Sequence, residues 1–198
     1  SLLNQIRENK ASEKTLQARN QRYIPNFVPP KEGNYIRLTT HNAPAQYINE
    51  QQLAALPAQS FSFTADIEGD FPETSYPADF KLTLKPGAQV MFIKNDPQHR
   101  FYNGMIGEVI GVKTDENGSK IIVRSKDSGE EFELEKMEWT NAKYTLNEKT
   151  KEIEETVEGK FMQYPLRLAW AITIHKSQGL TFEHAIIDAS HSFTHGQT

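Results

Sequence analysis

Hydrophobic positions change their spacing along this chain, and each change marks a different element. Leu2, Leu3 and Ile6 sit at helical spacing, and Ser12 suits the N-cap of a second helical pattern that carries Leu16 and Ala18. Pro25, Pro29 and Pro30 end it, because proline fixes φ and removes a backbone donor. The run Tyr35-Ile36-Arg37-Leu38-Thr39-Thr40 reads as a buried strand that stops at His41-Asn42. Asn42 can cap a helix with Pro44 in its first turn. That helix runs to Leu56, where Pro57 breaks it, with Ala45, Ile48, Gln52, Leu53 and Leu56 as its inner stripe. Strand, polar turn and capped helix make the opening unit of an α/β layer.

From Gln59 the period falls to two. Phe61-Ser62-Phe63-Thr64-Ala65 alternates, residues 71–77 form a proline-rich crossing, and Lys85-Pro86-Gly87 turns into the strand Gln89-Val90-Met91-Phe92-Ile93. A meander follows. Residues 105–112 and 120–124 are strands around Asn117-Gly118, a signal for a type I′ hairpin turn. Ser128-Gly129 turns the chain again into Glu131-Phe132-Glu133-Leu134, which alternates outward and inward. Short strands with such turns predict a small antiparallel barrel, and Gly107 and Gly111 inside a strand predict bends or bulges. The spacing also predicts that a segment of about 82–139 folds by itself. Residues 139–164 read as a charged hairpin arm, with 144–146 and 153–157 as strands and 147–150 as the turn.

The last pattern is an apolar run, 166–174, that enters a dense polar cluster ending at Gly179, followed by a second apolar run, 185–187. This predicts a strand, a tight polar connection and another buried strand. From Trp170 the alternation favours continued strand, while Gly179 as a C-cap favours a short helix, and the helix is the reading adopted. The connection holds Thr173, His175, Lys176, Ser177 and Gln178. Lys176 is a point charge and the two hydroxyls are neutral donors, all suited to phosphate oxygens. Gly179 permits a left-handed turn or a close backbone approach.

Composition sharpens this in three ways. At 198 residues and 37% hydrophobic, the chain can bury one large core or two small ones. The absence of cysteine excludes a disulfide scaffold and cysteine-based zinc sites, and fits a reducing, intracellular compartment. No apolar run approaches a membrane span and no signal peptide opens the sequence, so no membrane partner is expected. A net charge of −4 counts mildly against nucleic acid, although a basic channel is all such a protein needs. No G-x-x-x-x-G-K-[ST] loop occurs: the pair Gly159-Lys160 is followed by Phe161.

The ordered string Thr173-Ile174-His175-Lys176-Ser177-Gln178-Gly179-Leu180-Thr181-Phe182 resembles motif V of superfamily 1B DNA helicases of the Pif-like and RecD-like branch. Pro165-Leu166-Arg167-Leu168-Ala169-Trp170-Ala171-Ile172, leading into it, is similar to the same branch. Thr39, Thr40, His41 and Asn42, with Asn49 on the next helix, resemble motif IV. Leu84-Lys85-Pro86-Gly87-Ala88-Gln89-Val90-Met91, with Asn95-Asp96 and Asn103-Gly104, resembles the opening of the SH3-like barrel in these enzymes, although Asn103-Gly104 by itself reads as a plain turn.

The resemblance implies an α/β fold: a partial RecA-like (P-loop NTPase-type) layer with an inserted SH3-like β-barrel and a β-hairpin arm. Residues 1–58 would open the second RecA-like domain. Residues 59–164 would be the insertion, with the barrel at about 82–139 and the arm at about 140–164, and 165–198 would return to the RecA-like layer. It further implies an ATP-dependent helicase moving 5′ to 3′. Its partners would be single-stranded DNA and the N-terminal RecA-like domain of the same polypeptide. Thr173, His175, Lys176 and Ser177 would hold the DNA backbone, with Thr39, Thr40 and Asn42 as a second set. Gln178 and Gly179 would couple to the nucleotide cleft. ATP and Mg²⁺ would serve the full-length enzyme and none is expected on this piece. With neither P-loop nor the arginine-bearing motif VI in view, it should hold no catalytic residue, bind no metal and hydrolyse no ATP alone. The alternative is a non-catalytic binding module whose barrel recognises protein or nucleic acid.

Overall fold

The computed structural model describes residues 5, 10, 12–30, 33–116, 118–146 and 153–188. The first helical pattern at Leu2, Leu3 and Ile6, the hairpin residue Asn117 and the arm turn 147–150 lie outside these residues. Helix α1 (Glu13–Asn20) starts where expected, with the Thr15 amide donating to Ser12 Oγ at 3.2 Å.

Three short parallel strands carry the functional end of the molecule. Strand β1 (Ile36–Thr39) lies between β12 (Ala171–Thr173) and β13 (Ala185–Asp188). From β1 the chain turns at His41 into α2 (Asn42–Ala55), as the sequence predicts, but the N-cap is His41 and Asn42 is the first helical residue. Gln52 is exposed, so the stripe narrows to Ala45 with the half-buried Ile48, Leu53 and, at the C-cap, Leu56.

The helix expected from Trp170 is a strand. Ala171, Ile172 and Thr173 are all buried and pair with Arg37, Leu38 and Thr39. The remaining helical character is one 3-10 turn, His175–Ser177, and Gly179, at φ 77°, closes the turn rather than a helix. In a parallel ladder alternate residues bond to one neighbour. Here Arg37 N–H donates to the Trp170 carbonyl and Ile174 N–H to the Thr39 carbonyl, so the peptide groups of Ala171 face the outer edge of β12. Asn49 covers that edge. Its Nδ2 donates to the Ala171 carbonyl at 2.8 Å and its Oδ1 accepts the Ala171 N–H at 2.9 Å. A side-chain amide thus stands in for a neighbouring strand, and buried peptide groups need such partners. The strand expected to be buried after Gly179, β13, instead leaves Ile187 65% exposed, because β13 is the other outer strand of this sheet.

The antiparallel part is built on β5 (Gln89–Phe92), which is buried throughout. It pairs with β11 (Leu166–Leu168) on one side and β6 (Ile106–Asp115) on the other, followed by β7 (Gly118–Ser125) and β8 (Glu131–Leu134). Val90, Phe92, Phe101, Val109, Ile121, Val123, Phe132, Tyr164 and Leu166 share one core. Tyr164 and Leu166 fall beyond the segment of about 82–139 expected to fold by itself, so that core closes only when the chain returns. The register slips between Val109 and Gly111, which is the expected bulge. Gly107 serves a different need: a Cβ there would lie 2.5 Å from Val123 Cγ1.

The antiparallel pair β2 (Phe61–Thr64) and β4 (Lys81–Leu84) lays Phe63 against Tyr164 at a centroid distance of 4.8 Å. Another sheet holds β3 (Asp66–Gly69), β10 (Ile153–Gln163) and β9 (Met137–Leu146), so the arm has longer strands than the charge pattern suggests. Two glutamines tie the parts together. Gln163 is fully buried and donates to the Phe63, Asp79 and Phe80 carbonyls. Gln89 donates to the Tyr35 and Ala169 carbonyls at 3.1 and 2.9 Å, which fixes β5 against the entries to β1 and β12.

Candidate nucleic-acid interface

Thr39 and Thr173 stand side by side in register at the C-terminal ends of β1 and β12. In open α/β sheets that edge is where ligands bind. The parallel pairing therefore brings the two polar clusters of the sequence to one place, although most of the chain separates them.

Within this edge the side chains divide by what their protons do. Thr39 is 2% exposed and donates its Oγ1 proton to the His41 carbonyl at 2.9 Å. Thr40 Oγ1 pairs with His41 Nδ1 at 2.8 Å. Ser177 Oγ donates to the Ile174 carbonyl at 2.7 Å, holding the 3-10 turn together. Thr173 Oγ1 accepts the Lys176 N–H at 3.4 Å, so its own proton is not spent in that bond. Asn42, His175, Lys176, Gln178 and Gly179 are exposed.

Asn42, Thr173 and Lys176 meet in one groove of about 590 Å³ between α2, β12 and the side formed by β4 and β11. Thr39, Thr40, His175, Ser177, Gln178 and Gly179 do not line it. Gly179 borders a second hollow of about 300 Å³, where Leu180 and Phe182 face Asn103 and Gly104. The large groove adds residues that the sequence reading did not select, Arg167 and Lys81, with Asp79 on the same wall. Arg167 carried a signal, a cation between Leu166 and Leu168 inside an apolar run; Lys81 carried none.

Lys176 is exposed as a whole residue, but partial shielding of its ammonium at the groove wall lowers its pKa, and the positive charge of Arg167 lowers it further, against the attraction of Asp79. Burial also lowers Arg167, again opposed by Asp79. Arg167 is held by donation from Nη2 to the Pro77 carbonyl at 3.0 Å. Lys81, Arg167 and Lys176 outnumber Asp79 and Glu50 on its walls, and with amide and hydroxyl donors beside them they suit the groove to an anion. Among the described residues no group of three His, Cys, Asp or Glu side chains could hold a metal, and no helix is long and apolar enough to cross a membrane.

These features define a class: a mixed α/β protein with a parallel three-stranded sheet, antiparallel sheets inserted between its strands, and a polar ligand edge at the parallel strand ends. No protein-family model matches the chain. An ATP-dependent DNA helicase Pif1 from Psychrobacter sp. is 35% identical to it, over 100% of this chain and 36% of the relative. Unliganded Pif1 from Bacteroides sp. superposes with a TM-score of 0.86 at 37% identity, covering 99% of this chain and 44% of that one. Bacteroides Pif1 bound to ssDNA gives 0.72 at the same 37% identity, over 99% of this chain and 43% of that one. Over its whole length the chain is homologous to the Pif1 family of DNA helicases, and it spans less than half the length of these relatives.

Proposed function

We propose that this chain is part of an ATP-dependent 5′–3′ DNA helicase and supplies half of its grip on single-stranded DNA. The observation that carries this is the register of Thr39 with Thr173, which sets both polar clusters beside one cationic groove. Lys176 attracts a backbone phosphate as a point charge, Thr173 and Asn42 donate to its oxygens, and His175 reaches from the outside of the turn. Ser177 and Thr39 hold the backbone that presents them, and Thr40 holds the His41 ring. Gln178 and Gly179, at the end of the turn, face the nucleotide cleft and pass its state to the grip. A Pif1 helicase from Bacteroides has been crystallised with ADP-AlF4 and another crystal holds ssDNA, which supports both ligands for the whole enzyme.

The residues of this chain do not form a triphosphate cradle, since no glycine-rich loop precedes a lysine. ATP and Mg²⁺ are therefore placed with the N-terminal RecA-like domain of the same polypeptide. In this reading residues 1–58 and 165–198 belong to the second RecA-like domain. The insertion, 59–164, carries the SH3-like barrel at about 82–139 and the arm at about 140–164, and leans on the strand or the parted duplex.

The test is a titration of labelled oligothymidine into the full-length protein at several salt concentrations. The Lys176→Ala, His175→Ala double variant should bind weakly, and Lys176→Ala alone should flatten the salt slope by about one unit without changing sequence preference. Unchanged affinity in the double variant would sink the assignment.

A further inference from the structure

The groove gathers Lys81, Arg167 and Lys176 against only Asp79 and Glu50, and leaves Arg167 and Lys176 without a direct carboxylate contact. Lys113, Lys126, Lys136, Lys160, Arg100 and Arg124 each have a carboxylate partner, respectively Glu133, Glu108, Asp66, Glu138, Asp96 and Glu131. Among the described residues neither Arg167 nor Lys176 forms an ion pair. Asp79 attracts both from the same wall without pairing with either. Holding two cations beside each other, both partly shielded from water, is unfavourable. Asp79 and Glu50 both line the groove, but three cations outnumber them and neither carboxylate closes an ion pair with Arg167 or Lys176. Two such cations are complementary to an anion that arrives from outside.

Arg167 is prepared for that role. One of its five N–H donors is fixed on the Pro77 carbonyl, which orients the guanidinium plane and leaves the other donors for the groove. The groove, at about 590 Å³, has room for a nucleotide unit, and it opens onto Asn42 and Thr173 at the strand ends. A phosphodiester has two non-bridging oxygens, one for each cation.

We propose that Arg167 and Lys176 together seat one phosphodiester of the single strand inside this groove, with Lys81 assisting from the rim. The proposal rests on the strand-gripping reading above and adds where the strand runs and which side chain anchors it. Arg167 is a binding residue of the grip, set on the wall opposite α2.

The experiment uses the full-length protein and oligothymidine carrying one neutral methylphosphonate linkage, moved along the strand. For the wild type, one position of the neutral linkage should weaken binding about tenfold, the scale of one lost charged contact. In Arg167→Gln, affinity should fall by a similar factor, the salt slope by about one unit, and that position should no longer matter. Arg167→Lys should keep the salt slope and recover part of the affinity, because it restores charge but not the fork. Thermal unfolding of each variant separates lost contact from lost fold: a variant that melts like the wild type and binds like it overturns the proposal. So do purely additive losses from the substitution and the neutral linkage. If Arg167→Gln binds normally while the Lys176→Ala, His175→Ala variant does not, the groove path fails and the strand-gripping reading stands. If all of them bind normally, both fail. Loss of ATP-analogue binding with intact DNA affinity in Arg167→Gln would assign the seat to a nucleotide phosphate and likewise refute it.

Discussion

Asn49 offers a test of how the ligand edge is built. Its amide makes two hydrogen bonds to the peptide of Ala171, which is 1% exposed. Asn49→Ala removes both partners at once. Each bond contributes about 1 kcal/mol net, and a buried peptide group left without a partner costs about 1–3 kcal/mol. Asn49 and Ala171 both border the open groove, so water can reach part of the vacated edge. That sets the expected loss near the low end, about 2–4 kcal/mol. Asn49→Asp keeps the acceptor for the Ala171 N–H but turns an oxygen toward the Ala171 carbonyl, and should lose a similar amount at neutral pH. Gln46→Ala is the control on the same helix: it removes an exposed bond to Glu50 and should cost under about 0.5 kcal/mol. Urea unfolding reads the difference. With a slope of about 1–3 kcal/mol per molar, a 2 kcal/mol loss moves the midpoint by roughly 1 M. A shift for Asn49→Ala no larger than for Gln46→Ala would refute the edge-staple argument, since Ala171 would then be satisfied without it.

Three further outcomes follow from the same geometry. Burial and Arg167 lower the Lys176 pKa, so its charge disfavours the folded state at neutral pH, and this penalty fades as pH rises through the lowered folded value towards the ordinary lysine range near ~10. Lys176→Met should therefore melt higher than the wild type at pH 7, with the gap closing at high pH, while wild-type DNA affinity falls over that window; a lower melting temperature at pH 7 would contradict this. Gly104 has φ 98° and a Cβ there would lie 2.8 Å from Leu180 Cδ2, so Gly104→Ala should cost about 1–3 kcal/mol in chemical unfolding and disturb the segment after Gly179. A piece of about 82–139 lacks Tyr164 and Leu166 and should show poorly dispersed amide signals by NMR, whereas extension to include 59–168 should restore dispersion.

Local chemistry explains which parts of this fold are legible in the sequence. β1, the turn at His41, α2 and the meander from Gly107 to Leu134 follow from alternation, proline and glycine. The segment after Trp170 misleads because Gly179 is a true stop signal whose reach is short. It closes one 3-10 turn, while Ile172 and Thr173 are claimed by pairing with Leu38 and Thr39, a contact no local pattern reports. The exposed side of β13 is hidden for the same reason: Ala185-Ile186-Ile187 looks buried until its edge position is known. For the site, Asn42, Thr173 and Lys176 stand out as polar groups at strand ends. Arg167 and Lys81 become neighbours of that cluster only when β11 pairs with β5 and β4 with β2. Local bonds to the His41 and Ile174 carbonyls decide that Thr39 and Ser177, hydroxyls like Thr173, hold the turn backbone instead of facing the groove.

If the C-terminal ends of β1 and β12, with the turn that follows, grip the strand, bound DNA should shield them from solvent. Hydrogen exchange of the full-length protein with and without saturating oligothymidine tests it directly. Slowed exchange should be concentrated in residues 39–42 and 173–179 and along the groove near Arg167. Slowing confined to β6–β8 or to the arm, with those segments unchanged, would contradict it.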